Sequence, residues 1–143
     1  MKFEFSAGGI VYKREQGNIY VLVAKHSGYH GWVFPKGLIG DKKEFEGQSK
    51  EETALREVEE ETGVVGEILR SLTPITYWYV HGGERRRKTV YYFLMRFISG
   101  DTSRHDAEME EVEWLPESKV RDRLTFANEK EVWDEAKQLI IER

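Results

Sequence analysis

One predicted helix constrains the fold more than any other part of the sequence. Ser49 stands three residues before Glu52, which is the spacing of a capping box, and Gly63 supplies a stop after the last turn. The pattern predicts a helix over residues 49–62. Strand-like segments lie before and after it, which favours a mixed sheet covered by helices on its faces. The predicted fold class is therefore α/β or α+β.

Short apolar runs bounded by turn signals predict the strands of this sheet. They cover residues 6–12, 19–24, 32–34, 75–80, 89–98 and 112–115, with turns at 17–18 and 82–83. Residues 38–48 are rich in Gly and charge without a clear period, so we expect an exposed loop there. A closing amphipathic helix begins near Asn128, which stands three residues before Glu131 and is interpreted as its N-cap.

Composition limits the classes of protein and of site. The chain has 143 residues, 39% of them hydrophobic, which suits one compact domain. No run approaches the roughly 18 uncharged apolar residues of a membrane helix, and the first residues form no signal segment, so we expect a cytoplasmic protein without a membrane span. Because the chain has no cysteine, any metal must be held by oxygen or imidazole ligands. The net charge of -4 argues against bulk nucleic-acid affinity.

Three carboxylates gather on one side of the predicted helix. At about 100° per residue, Glu57, Glu60 and Glu61 share one sector. A second sector forms the packing stripe, made of Ala54, Leu55, Val58 and Thr62. Like charges at this spacing weaken a helix, and a bound divalent cation would compensate for them. Hard cations such as Mg2+ prefer carboxylate oxygens and leave coordination positions for substrate phosphates. The alternative interpretation is a solvated acidic face.

The residues around these glutamates match a family motif. Arg56-Glu57-Val58-Glu59-Glu60-Glu61-Thr62-Gly63-Val64 fills every fixed position of the second half of the Nudix box, R-E-U-x-E-E-x-G-U with U apolar. Phe34-Pro35-Lys36-Gly37 and Ala7-Gly8-Gly9 are also similar to segments of that family. Over nearly its whole length the chain resembles Nudix hydrolases of the mutator type, and it looks closest to bacterial diadenosine-tetraphosphate pyrophosphatases. The resemblance implies a single domain over residues 1–143, an α/β/α sandwich with a central mixed sheet flanked by helices.

The first half of the box departs from the family pattern of Gly, five residues, Glu, seven residues and Arg. Gln48 stands where the glutamate belongs and Lys42 where the glycine belongs. If Gly37 is the box glycine, the loop is five residues longer than in the pattern. Glu44 or Glu46 could substitute for the missing carboxylate. Because an amide carries no negative charge for a metal and cannot act as a base that takes up a proton, we expect altered metal affinity or rate rather than an inert domain.

The resemblance also implies a metal site. Glu57, Glu60 and Glu61 would be the ligands of one to three Mg2+ or Mn2+ ions that bridge to a diphosphate, with Glu57 linked to the activated water. Arg56 would orient Glu57 by a charge-assisted hydrogen bond. The carbonyl of Gly37 is a further candidate ligand.

A last ligand in such sites often comes from outside the box. Glu108 resembles the family glutamate in the loop before a late strand, and Glu111 is the neighbouring option. An ordinary acidic loop explains both residues equally well.

Substrate choice rests on weaker signals, because the box reads only the diphosphate. Tyr79 lies sixteen residues after Gly63, where diadenosine-polyphosphate hydrolases of the family often carry a tyrosine. Tyr77 and Trp78 could stack on a base, and the basic run 85–88 could clamp a polyphosphate, although core packing and a charged hairpin tip explain these features too. The candidate substrate-binding residues are Lys36, Tyr77, Tyr79, Arg87 and Lys88. The preferred substrate is diadenosine tetraphosphate, split into ATP and AMP.

Three alternatives stay open. Ala127-Asn128-Glu129 resembles the segment with which mutator-type members bind an oxidised guanine, although the capping role is favoured for Asn128. RNA 5′-end pyrophosphate removal is the second, and a non-catalytic nucleotide-binding module, supported by Gln48 and the longer loop, is the third. The expected partner is thus a small nucleotide or an RNA 5′ end, and the sequence favours neither a monomer nor a homodimer. No role is assigned to His26, His30 or His81.

Overall fold

The computed structural model describes residues 1–40 and 46–141. The strands are β1 Lys2–Glu15, β2 Asn18–His26, β3 Trp32–Val33, β4 Lys36–Leu38, β5 Val64–Ser71, β6 Ile75–His81, β7 Glu84–Gly100 and β8 Met109–Pro116. The helices are α1 Lys50–Thr62, α2 Glu117–Arg123 and α3 Ala127–Ile141, with a 3-10 turn at Thr102–Arg104. No helix within these two ranges is long and apolar enough to span a bilayer.

Within the described ranges, eight strands form one mixed sheet. The main order is β3-β2-β1-β7-β5, while β4 pairs with β1, β6 with β7 and β8 with β2. The long strands β1 and β7 run parallel at the centre, with Ala7 opposite Tyr91. The other pairs are antiparallel. A sheet of this kind confirms the predicted class.

The helices cover the two faces of the sheet. Helix α1 packs through Ala54 and Val58 on one face, against a cluster that includes Leu22 and Met95. Helix α3 packs through its apolar residues, Trp133 among them, on the other face. The chain is therefore the α/β/α sandwich that the resemblance implied.

Two glycines of β1 allow the elements of the site to approach closely. A Cβ atom at Gly8 would lie 2.1 Å from the carbonyl oxygen of Pro35, and one at Gly9 would lie 2.9 Å from a methyl of Val58. Any side chain at these positions would push β4 or α1 away from β1. The Ala-Gly-Gly sequence thus brings the Pro-Lys-Gly segment and the acidic helix together over the same strand.

The ends of α1 are as predicted, but one residue of its packing stripe is not. Ser49 is the N-cap in a capping box with Glu52, and Gly63 ends the helix in the left-handed region, at φ 80°. Leu55, which was predicted to pack, is 36% exposed, whereas Thr53 is fully buried. The buried arc is centred on Ala54 and Val58 and extends to the acidic side of the helix, so the prediction for Leu55 was wrong.

Two elements were missed, and two further predictions need correction. Strand β5 and helix α2 were not predicted, because β5 follows α1 without a turn cluster and only Val120 of α2 is buried, which leaves no periodic signal. Helix α3 begins at Ala127, one residue before Asn128, so Asn128 lies within the first turn and is not the N-cap. Leu38, the first residue of the expected loop at 38–48, is instead the last residue of β4. Residues 41–45 of that loop lie outside the described ranges.

Candidate active site

A cleft of about 890 Å³ opens beside the acidic face of α1. Its walls come from β4, α1, β6, β7, the turn before β8 and the first turn of α3. Of the predicted site residues it brings together Lys36, Gly37, Glu57, Glu60, Glu61, Tyr77, Lys88 and Glu108. Residues that lie far apart in the sequence therefore share one cavity, of the size that small-molecule sites have.

The three box glutamates differ in their exposure. Glu57 is 5% exposed and Glu61 is 1% exposed, while the side chain of Glu60 is 39% exposed. An exposed acidic face, the alternative considered for this helix, does not describe the first two. Buried carboxylates are costly unless a charge or several hydrogen bonds compensate for them. The arrangement therefore requires positive charge in the cleft.

Arg56 supplies part of that charge. Its Nη1 lies 2.8 Å from Oε1 of Glu57 and 3.2 Å from Oε2 of Glu60. Its Nε donates to Oε1 of Gln48 at 3.0 Å. Gln48 therefore contacts Arg56, which in turn pairs with Glu57. Of the suggested substitutes for the missing box carboxylate, Glu46 is exposed and Glu44 lies outside the described ranges.

Of the three glutamates, Glu61 has the weakest polar contacts to offset the cost of burying its carboxyl group. Its Oε1 accepts a long hydrogen bond of 3.4 Å from the amide of Lys36. Its Oε2 is buried and has no hydrogen-bond partner among the described residues. Burial and the neighbouring carboxylates of Glu57 and Glu108 raise the pKa of Glu61 well above its usual range.

Gly37 lies directly against the Glu57 carboxylate. A Cβ atom built on Gly37 would lie 2.0 Å from Oε2 of Glu57. Only a glycine leaves room for the carboxylate at this point of β4. The backbone of Gly37 is therefore next to the carboxylates, as expected for the glycine of the box.

These carboxylates fit a divalent cation by their chemistry. The orphaned oxygen of Glu61, the surplus of negative charge and the backbone of Gly37 all favour a hard cation with oxygen ligands. Across residues 1–40 and 46–141, no three acidic or imidazole side chains are already drawn together around a metal position. A cation would therefore have to compete with Arg56 for Glu57 and Glu60.

The loop before β8 contributes one more carboxylate. Glu108 lines the cleft, whereas Glu111 lies on β8 at 3.9 Å from Nζ of Lys25. The structure therefore brings Glu108, and not Glu111, to the other glutamates. Nε2 of His26 lies 3.5 Å from Oε1 of Glu108 and holds it at the wall. No role was predicted for His26, because its sequence neighbours carry no signal.

Positive charge faces the carboxylates from across the cleft. Lys36 of β4 and Lys88 of β7 both line it, and Tyr77, opposite Lys88 in the β6–β7 pair, lies beside them. Burial, and the charge of Lys36 next, lower the pKa of Lys88. Two partly desolvated ammonium groups facing a cluster of carboxylates suit a polyphosphate that binds between them.

A group of aromatic side chains forms a further part of the cleft wall. The rings of His26 and Tyr29 stack at 4.2 Å between centroids, and Phe126 contacts Tyr29 edge-on at 5.8 Å. Asn128, two residues after Phe126, lines the cleft as well, and its side chain makes no hydrogen bond within the described part of the chain. A flat apolar wall beside a free carboxamide suits a nucleobase.

The family follows from comparison with known proteins. The NUDIX domain model matches residues 2–136. The chain belongs to the Nudix family. It is 40% identical over 143 residues to a putative mutator protein MutT4 of Mycobacterium tuberculosis, covering 96% of this chain and 56% of that protein.

A second relative is similar in sequence, and a solved structure is similar in fold. An 8-oxo-(d)GTP phosphatase of Mycolicibacterium smegmatis is 30% identical over 114 residues, covering 80% of this chain and 32% of that protein. An Ap4A hydrolase of C. elegans has the same fold, with a TM-score of 0.77, 22% identity and coverage of 98% and 99% of the two chains. The Nudix chain described here thus spans about half of the first relative and a third of the second.

Two predicted substrate residues lie outside the cleft of this Nudix domain. The hydroxyl of Tyr79 donates to Glu4, which also pairs with Arg86 at 3.2 Å. Arg87 lies on the other face of β7, with its guanidinium 5.9 Å from the ring centres of Phe3 and Trp78. Because neighbours on a strand point to opposite faces, only alternate residues of the 85–88 run can reach the cleft. Tyr79 and Arg87 are therefore not part of the candidate site.

Proposed function

We propose that this Nudix domain hydrolyses a pyrophosphate bond of a purine nucleoside polyphosphate with the help of Mg2+ or Mn2+. The observation that supports it is the single cleft that joins buried carboxylates, two lysines and an aromatic wall. Glu57, Glu60, Glu61 and Glu108 would hold the metal, which when bound supplies a Lewis acid and an activated water.

The other residues of the cleft orient the substrate. Lys36 and Lys88 bind the phosphate chain and lower its charge, which favours attack by a water at phosphorus. Tyr29 and Phe126 provide the surface on which the base lies. Arg56 keeps Glu57 fixed, so that the carboxylate does not need to reorganise during the reaction.

The carboxamide of Asn128 favours a particular base edge. A carboxamide offers one donor and one acceptor side by side, and it therefore pairs with the N6 and N7 atoms of adenine. Guanine presents two acceptors on that edge, whereas oxidised guanine carries a hydrogen on N7 and so presents a donor beside an acceptor. Adenine and oxidised guanine both fit Asn128, and unmodified guanine does not.

Of the two, we favour an oxidised guanine nucleoside triphosphate. Tyr79, one of the residues that motivated a diadenosine polyphosphate, lies outside the cleft, and Asn128 is free of the capping role that was preferred for it. The name of the M. smegmatis relative supports the same substrate. Diadenosine tetraphosphate is the second candidate, because Lys88 lines the cleft and adenine fits the same carboxamide.

The test is product analysis with Mg2+ and with Mn2+ on oxidised dGTP, dGTP, diadenosine tetraphosphate and a 5′-triphosphorylated RNA. We expect kcat/KM for oxidised dGTP to exceed that for dGTP by on the order of 10- to 100-fold, as one bidentate base contact provides. Asn128→Leu should remove most of this preference while the metal dependence stays.

The outcomes of this panel separate the candidates. Faster release of ATP and AMP from diadenosine tetraphosphate would move the preference back to the dinucleotide. Preferred turnover of the RNA would assign the cleft to a 5′ end. Nucleotide binding without any turnover would contradict the enzymatic proposal and support a binding module.

A further inference from the structure

A three-residue segment is held between two buried carboxylates. The amide of Phe34 donates to Oε2 of Glu129 at 3.0 Å, and the amide of Lys36, two residues on, donates to Oε1 of Glu61 at 3.4 Å. Glu129 lies in the first turn of α3 and Glu61 in the last turn of α1. The segment 34–36 therefore connects helices on opposite faces of the sheet.

The same segment has little freedom to move on its other side. The carbonyl of Pro35 accepts a hydrogen bond of 3.2 Å from the amide of Gly9. The fixed φ of proline stiffens the chain at this point. Immediately afterwards, Gly37 lies against Glu57 with no room for even a methyl group. A shift of Phe34 would therefore carry Lys36 and Gly37 with it, toward or away from the carboxylates.

Stability alone does not explain a carboxylate at position 129. Glu129 is 3% exposed, and its Oε2 accepts from the Phe34 amide and, at 2.7 Å, from the hydroxyl of Tyr92. Its Oε1 is buried with no partner in the described ranges, and no Lys or Arg there forms an ion pair with it. A buried acceptor left unpaired costs stability, and a carboxylate costs more than an amide.

We propose that Glu129 is a positioning residue for the metal end of the cleft, which it reaches through segment 34–36. By anchoring Phe34 it sets the place of the Lys36 amide against Glu61 and of Gly37 against Glu57. The role extends the proposed function and rests on it. Glu129 itself does not have to touch the metal or the reacting phosphate.

Four variants separate this role from a general effect on folding. Glu129→Gln keeps an acceptor of the same length, Glu129→Asp shortens the reach by one methylene, and Glu129→Leu removes the acceptor. Tyr92→Phe is the matched control, because it deletes the other hydrogen bond to Oε2 and keeps the ring that packs edge-on against Phe34. Circular dichroism and melting curves establish which variants are folded.

The first readout is amide hydrogen exchange of metal-free protein without substrate. In the Asp and Leu variants we expect the Lys36 amide, which does not contact Glu129, to exchange on the order of tenfold faster, since its hydrogen bond to Glu61 is loosened. Glu129→Gln and Tyr92→Phe should retain the exchange rate of the unmodified chain at Lys36. If the exchange rate changes at the Phe34 amide but not at the Lys36 amide, Glu129 has a local role and the proposal is wrong.

The second readout is steady-state turnover of the substrate that the panel identifies. If Lys36 and Gly37 are displaced from the carboxylates, kcat should fall by roughly 100-fold in the Asp and Leu variants, with a smaller change in KM. The Gln variant should have the kcat of the unmodified chain. Loss of kcat in the Gln variant as well would overturn the proposal, because the hydrogen bond would then be irrelevant. If Glu129→Leu does not fold, the Asp and Gln variants decide the question.

The exchange experiment also distinguishes this inference from the proposed function. If the unmodified chain turns over no substrate, the hydrolase proposal fails, and the exchange rate at Lys36 still reports whether Glu129 positions the segment.

Discussion

Gln48 shows how one residue can act at a distance from the chemistry. Its amide oxygen accepts from Nε of Arg56, and Nη1 of Arg56 contacts Glu57 and Glu60. The sequence predicted the place of Gln48 in the box but not its partner, because the turn before α1 sets that geometry. An acceptor at this position fixes the arginine whether or not it carries a charge.

The role of Gln48 leads to a prediction at the residue scale. Gln48→Glu keeps the acceptor and adds a charge beside Arg56, so the rate of hydrolysis should stay equal or increase. Gln48→Ala frees the guanidinium and should lower kcat by roughly tenfold, about the value of one charged hydrogen bond. Steady-state kinetics of both variants check this, and a large loss in the Glu variant would mean that the longer loop has an arrangement of its own.

At the scale of single elements, helix α1 combines packing and chemistry on adjacent sides. Its caps could be predicted because they depend on residues three positions apart, and both are present in the structure. The burial of Glu57 and Glu61 could not, since it arises when β4 and β1 cover the acidic side. The solvated acidic face that the sequence left open as an alternative therefore does not describe Glu57 and Glu61.

Burial of Glu61 predicts a destabilised helix when no metal is bound. Because the pKa of Glu61 is raised above its unfolded value of 4.5, the folded state resists losing that proton, and stability falls as pH rises above about 4.5. Glu61→Gln removes this penalty. In EDTA at pH 8 the variant should be more stable by on the order of 1 kcal/mol, or roughly 3 °C in Tm.

The check is a series of melting curves for both proteins between pH 4 and pH 8. The difference in Tm should grow with pH and disappear near pH 4, where the carboxyl is protonated in both states. An equal or lower Tm for Glu61→Gln at pH 8 would show that Glu61 is better compensated than its contacts indicate.

For the whole molecule, the sequence predicted the layers and the elements that carry the candidate metal ligands, but not most of the residues that surround a substrate. The box and the Gly-Gly and Pro-Lys-Gly segments are local motifs. The box helix and the Pro-Lys-Gly segment line one cleft, and both pack against the Gly-Gly segment. Tyr29, Phe126 and Asn128 meet there only because the turn after β2 and the start of α3 are adjacent in the fold, which no local pattern encodes. For the same reason the sequence alone could not show that Arg87 points away from the cleft, or that Tyr79 lies beyond Tyr77 along β6 and contacts Glu4 instead.

The most direct test compares two glutamates of the same helix. Metal-dependent hydrolysis is measured for the unmodified chain, for Glu61→Gln and for Glu59→Gln, whose side chain is exposed outside the cleft. In Glu61→Gln the loss of a buried ligand should reduce kcat by on the order of 1000-fold or more, because the metal supplies several kcal/mol of transition-state stabilisation. Glu59→Gln should keep a rate near the original. Comparable turnover by all three proteins would contradict the assignment of this cleft as a metal-dependent active site.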